Sequence, residues 1–103
     1  MKTRREILEE FLLQDPNDSF SRYALALELE KENRVSEAVP QLREVIARDA
    51  GLVAAYQQLG RLLAQSGSVD EARATYQKGI SVAAAANDQR ARSEMQLALD
   101  MLD

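Results

Sequence analysis

The side chains with most chemical capacity in this chain are carboxylates. Glu28, Glu30 and Glu32 alternate along one segment, and Glu9 and Glu10 adjoin in another. Carboxylates do general acid–base work when two of them converge on one site. Alternate positions on a helix point in different directions, so these runs read as solvated faces. Lys31 and Lys78 become bases or nucleophiles only through burial, which neither neighbourhood supports. The chain has no His and no Cys, which removes the commonest general base, the commonest metal ligand and the best nucleophile. It also shows no Gly-rich phosphate loop, no spaced ligand set and no Ser paired with a base. The expectation is therefore no enzyme, with catalytic, cofactor-binding and metal-binding residues all absent and no cofactor.

Thirteen Lys plus Arg against seventeen Asp plus Glu give a net charge of −4. That balance disfavours binding to phosphate backbones, which takes a basic stripe, so no nucleic acid is expected. The basic opening Met1-Lys2-Thr3-Arg4-Arg5 is followed by Glu6, Glu9 and Glu10, which interrupt the apolar run of a signal peptide. No stretch approaches the roughly 20 apolar residues of a membrane span. A cytoplasmic protein with no membrane contact is expected, and the glycosylation triplet Asn17-Asp18-Ser19 is then a coincidence. At 103 residues there is room for one ordinary domain.

Around those residues the chain is punctuated at regular distances: Asp15-Pro16-Asn17-Asp18, Glu32-Asn33-Arg34, Asp49-Ala50-Gly51, Ser66-Gly67-Ser68 and Ala86-Asn87-Asp88. Between these breakers apolar residues recur at helical spacing, as in Ile7, Leu8, Phe11 and Leu12, then Phe20, Tyr23, Ala24 and Leu27. The pattern predicts an all-α chain of six helices, near 3–14, 19–32, 36–48, 53–66, 69–85 and 88–102. Asp18 or Ser19 starts the second, and Ser68-Val69-Asp70-Glu71 reads as a capping box. Pro40 removes one early amide if Ser36 caps its helix; an earlier start predicts a kink.

Sliding the chain by 34 residues brings Leu25 onto Leu59, Leu29 onto Leu63, Val35 onto Val69, Glu37 onto Glu71, Ala38 onto Ala72, Ile46 onto Ile80 and Ala50 onto Ala84. A period of that length made of two helices marks a solenoid, in which each unit buries its apolar face on its neighbour. The second copy, Tyr56-x2-Leu59-Gly60-x2-Leu63 followed by Ala72-x3-Tyr76, resembles the tetratricopeptide repeat. The first copy is in register, with Arg22 at the leading aromatic place, then Leu25-Ala26, Leu29, Ala38 and Leu42. Gly60 and Ala72, like Ala26 and Ala38, stand where two antiparallel helices must approach closely. Departures are Ala50 and Ala84 at the usual closing proline, and Gly79 where Ala is common. The resemblance implies an antiparallel helix-hairpin superhelix and a single domain over 1–103: a half-repeat helix at 3–18, repeats at 19–52 and 53–86, and a capping helix at 87–103.

The same resemblance implies a concave groove lined by the first helix of each repeat, taking a peptide segment of another protein. Carried onto this chain, the groove positions are Phe20, Tyr23, Leu27 and Lys31, then Ala54, Gln57, Gln58, Arg61 and Gln65. Tyr23 offers area at low entropy cost, Gln57 and Gln58 can pair with a peptide backbone, and Arg61 can fork onto a carboxylate. Tyr23 and Leu27 serve equally well as packing between neighbouring repeats, and Arg61 as a solvated arginine. Members that clamp the terminal carboxylates of chaperones do so with Lys, Asn and Arg; Tyr23, Leu27 and Gln58 replace the Lys and Asn, which argues against that ligand.

The last helix has Ala91, Met95, Ala98, Leu99 and Leu102 on one stripe, widened by Leu97 and Met101. Either it covers the preceding helix and leans on Ala83 to Ala86, or it is an association surface. The alternative function is a structural homodimer through Met95, Leu97, Leu99, Met101 and Leu102. A domain within a longer solenoid would account for that apolar helix as well.

Overall fold

The chain folds into α1 (Arg4–Gln14), α2 (Ser19–Lys31), α3 (Val35–Arg48), α4 (Val53–Gln65), α5 (Val69–Ala85) and α6 (Gln89–Asp100) in a computed structural model that describes residues 1–102. Asp103, the end of the expected last segment, lies outside the described residues. No strand occurs among the described residues, so the all-α helical repeat expected from the period is what the chain adopts.

Two kinds of turn separate the helices. After α2, α4 and α5 the chain enters the left-handed region at Asn33 (φ 60°), Gly67 (φ 87°) and Asn87 (φ 57°). Each closes a Schellman motif: Arg34 N donates to Leu29 O at 2.8 Å, Ser68 N to Leu63 O at 2.9 Å and Asp88 N to Ala83 O at 2.9 Å. Asn and Gly are the residues that tolerate this conformation. After α1 and α3 the cap is extended instead, at Asp15 (φ −141°) and Asp49 (φ −142°), 34 residues apart.

The helix starts correct three expectations. Ser68 makes no side-chain capping hydrogen bond, so the capping box read there does not form. A complete one forms at α1, where Thr3 Oγ1 accepts from Glu6 N and Glu6 Oε1 accepts from Thr3 N, both at 3.1 Å. α3 begins at Val35, one residue before Ser36, and runs unbroken through Pro40; Ser36 and Pro40 are both exposed, so water can serve the carbonyl that loses its amide. Asp18 caps α2 as expected, accepting from Ser21 N at 3.0 Å.

The chain divides into two compact units, Met1–Asp49 and Ala50–Asp103. In unit 1, α2 packs on α3 and α1 packs on α2 around Leu8, Leu25, Ala26, Leu29, Ala38, Leu42 and Val45. Arg4 to Glu28 (3.0 Å) and Arg5 to Glu32 (3.1 Å) fix α1 antiparallel to α2. In unit 2, α4, α5 and α6 enclose Ala55, Tyr56, Leu59, Leu62, Leu63, Ala72, Tyr76, Ala83, Ala91 and Met95. A Cβ on Gly60 would lie 2.6 Å from the Tyr76 ring, which confirms the close approach expected there. Gly79 is as constrained: its Cβ would meet Met95 Sδ at 2.6 Å and Tyr56 Cβ at 2.7 Å. The departure at Gly79 thus makes room for α6.

α6 covers α5 where Met95 meets Gly79; Ala83 is buried, whereas Ala84 to Ala86 are exposed. Met95, read as part of an association face, is fully buried and belongs to the core of unit 2. Leu97 and Met101 remain exposed, with Leu99 and Leu102 half-buried.

Candidate functional site

The two repeats use corresponding residues differently, and this sets what each first helix shows to solvent. Tyr56 is buried, and its hydroxyl donates to Ala50 O at 2.7 Å, tying α4 to the turn before it. The position 34 residues earlier holds Arg22, whose Nη2 donates at 2.8 Å to Pro16 O, again the carbonyl six residues back. Arginine therefore does the tyrosine's work in the first repeat. Its Nη1 also donates to Gln41 Oε1 at 3.0 Å, while Nε is buried without a hydrogen-bond partner.

With these residues turned inward, α2 presents Phe20, Tyr23, Leu27 and Lys31 along one stripe. Phe20 is 74% exposed, Tyr23 and Leu27 are half-buried, and Lys31 is exposed, 3.4 Å from Glu28. Glu28 thereby holds a cation on each side, Arg4 and Lys31.

In unit 2 the corresponding stripe of α4 meets α6, and a pocket of about 400 Å³ opens between them. Its lining is Gln57, Gln58, Arg61, Tyr76, Glu94 and Ala98. Arg61 donates to Gln58 Oε1 from Nε (3.2 Å) and Nη2 (2.5 Å). Gln57 Nε2 donates at 3.2 Å to Glu94 Oε2, and the other carboxylate oxygen takes Arg90 Nε at 3.0 Å. Burial pushes the Tyr76 phenol above its ordinary pKa against the opposing pull of Arg61, so it stays a neutral donor and acceptor. Amide, guanidinium, carboxylate and phenol around one cleft can pair with peptide N–H and C=O groups and with one charged side chain of each sign.

The structure therefore brings together three of the five groove positions expected on α4; Ala54 and Gln65 are exposed on the same helix outside the pocket lining. Sequence reasoning missed Tyr76, Glu94 and Ala98. Tyr76 was legible only as a repeat aromatic, and Glu94 follows only once α6 is set beside α4, where it occupies the place of Gln58 counted from the helix caps Leu52 and Asp88. Among the described residues no group of three or more acidic, His or Cys side chains is placed to hold a metal ion.

The tetratricopeptide repeat family model matches residues 29–97, more than half of the sequence. The chain belongs to the tetratricopeptide repeat family. Among solved structures it is similar to a tetratricopeptide repeat domain protein from Salinibacter ruber. Its solution structure is 39% identical, with 82% of this chain and 86% of that one covered and a TM-score of 0.78. A crystal structure of a tetratricopeptide repeat domain protein from the same organism gives 38% identity, 80% and 92% coverage and a TM-score of 0.76. A Bordetella parapertussis protein is similar at 27% identity, covering 97% of this chain and 87% of that one with a TM-score of 0.81. No curated protein matches the sequence. Tetratricopeptide repeat proteins are generally non-enzymatic scaffolds that bind other proteins. No helix of the described residues is long and apolar enough to cross a membrane.

Proposed function

We infer that this tetratricopeptide repeat protein is a non-enzymatic cytoplasmic module, a single functional domain, that binds a peptide segment of a partner protein. The observation carrying this reading is the pocket between α4 and α6, where Gln57, Gln58, Arg61 and Glu94 converge on the Tyr76 ring. The peptide backbone pairs with the two glutamines, and a carboxylate of the partner displaces Gln58 from the Arg61 fork. Within unit 1, Phe20, Tyr23, Leu27 and Lys31 of α2 form a separate candidate stripe, apolar with one charge. A short segment in so small a site binds with Kd on the order of 10⁻⁶ M.

The test compares the wild type with a Tyr23→Glu, Arg61→Glu double variant, both immobilised after circular dichroism confirms equal helix content, for what each captures from lysate. A partner retained by the wild type and lost by the variant supports the reading; identical captures reject it.

A further inference from the structure

Tyr76 carries a polar atom that its place in the fold does not use. Gly60 lets the ring lie directly beneath α4, where a Cβ would stand 2.6 Å from Cε1, and the residue is only 5% exposed. The corresponding crossing of unit 1, with Ala26 and Leu42, is buried with no hydroxyl at all. Tyr76 Oη makes no hydrogen bond among the described residues. Nor is it sealed in, since Arg22 Nε is the one fully enclosed side-chain polar atom left without a partner among them. The phenol therefore ends in the α4–α6 pocket, which Tyr76 lines with Gln57, Gln58, Arg61 and Glu94. A hydroxyl held at the floor of a cleft by a packed ring gives up little freedom on meeting a ligand.

The charges around that oxygen choose its ligand. Burial raises the pKa of the phenol, and Arg61, the one charge felt there among the described residues, opposes it. Glu94 lines the same pocket but is already held by Gln57 Nε2 at 3.2 Å and Arg90 Nε at 3.0 Å. An anion at Oη thus meets a positive field and a neutral hydroxyl that donates to it, a charge-assisted bond roughly twice as strong as a neutral one. A cation there would meet the repulsion of Arg61.

We propose, on the reading that a peptide binds in this pocket, that Tyr76 Oη is its specificity-determining donor and binds, together with Arg61, the side-chain carboxylate of an Asp or Glu inside the partner segment. A segment that continues on both sides of the acid gives Gln57 and Gln58 backbone N–H and C=O groups to pair with. A chain end offers nothing beyond its carboxylate on one side, and Arg61 is the one cation in the lining to take it.

A random peptide library, displayed with both ends joined to carrier chain, is selected against the immobilised whole protein, and a parallel library ends in a free C-terminal carboxylate. The wild type is expected to enrich internal segments that share an Asp or Glu at one place. The strongest is synthesised with acetylated and amidated ends, and its acid is exchanged for the matching amide. Titrations should show this exchange weakening binding to the wild type about tenfold or more, and Tyr76→Phe weakening the acidic peptide by a similar factor at unchanged thermal midpoint. On Tyr76→Phe the exchange should cost markedly less, the coupling of a double-mutant cycle. Gly60→Ala with Tyr76→Leu, the pair that unit 1 carries as Ala26 and Leu42, removes the hydroxyl by a second route and should give the same loss, which keeps the test open if the single variant misfolds.

Equal weakening by the exchange in the wild type and in the folded variants overturns the role of Tyr76. So does enrichment of segments without an acid that Arg61→Glu still releases; the pocket is then a peptide site of another specificity. Binding confined to free C-terminal carboxylates assigns the group to a chain end and overturns the internal acid. No enriched segment, or segments held equally by the Arg61→Glu chain, overturns peptide binding in this pocket and the role of Tyr76 with it.

Discussion

Unit 1 and unit 2 each hold one helix hairpin of the same repeat, built from different residues. Where unit 2 sets Gly60 against Tyr76, unit 1 has Ala26 and Leu42, a larger residue opposite a smaller one. Where unit 2 ties its first helix to the preceding turn with a tyrosine hydroxyl, unit 1 uses a guanidinium. The third helix comes before the hairpin in unit 1, fastened by Arg4 to Glu28 and Arg5 to Glu32, and after it in unit 2, where Met95 packs on Gly79. The repeat thus constrains summed volume at the crossing and a donor aimed at one carbonyl, while the residue types remain free.

The largest effect is expected from truncating the buried core of unit 2, to which Leu59 belongs. Leu59→Ala should cost about 2–5 kcal/mol, read as a lowered thermal midpoint. Next, Gly60→Ala should cost about 1–3 kcal/mol, because the new methyl meets the Tyr76 ring. Adding Tyr76→Leu reproduces the pair of unit 1 and should return part of that loss, a coupling of about 0.5–3 kcal/mol in a double-mutant cycle. Additivity in the cycle would show that the two hairpins do not exchange volume as described.

A smaller effect probes the donor. Tyr56→Phe should cost about 0.5–1.5 kcal/mol by chemical denaturation, whereas Arg22→Tyr should be neutral or stabilising, since it keeps the donor and removes the buried unpartnered Nε. The smallest effect separates the units by pH. Glu6, Asp18 and Glu37, all in unit 1, are held below their ordinary pKa by hydrogen bonds from Thr3, from Ser21 and from Arg34. Depressed carboxylates stabilise the fold above the ordinary carboxylate range, and that contribution goes as pH falls through their folded values. Tyr76 in unit 2 is raised by burial, so its contribution is present below pH 10 and goes as pH rises through its higher folded value. Backbone NMR spectra should show acid disturbing α1–α3 first and alkali disturbing α4–α6 first.

Helix number, helix order and the 34-residue register were legible in the sequence, because turn residues and apolar spacing act locally. Caps were less so: Ser68 and Thr3 both precede a glutamate three residues on, but only Thr3 closes the box. Of the candidate pocket, half the lining was legible. Gln57, Gln58 and Arg61, expected from the family resemblance, line the α4–α6 pocket, but Glu94 arrives from a helix displaced two residues from strict period, its cap at Asp88 where Leu52 predicts 86. Met95 was misplaced because an apolar stripe alone does not say which of its members meets a glycine.

The central claim, that the partner lies in the α4–α6 pocket, is tested most directly by site-specific photocrosslinking in cells. A benzophenone amino acid would replace Gln58 at the pocket and, as a control, Gln77 on the exposed surface of α5. A crosslinked protein at position 58 that is absent at 77 and lost with Arg61→Glu is the predicted result. Equal crosslinking at both positions, or none at 58, would contradict it.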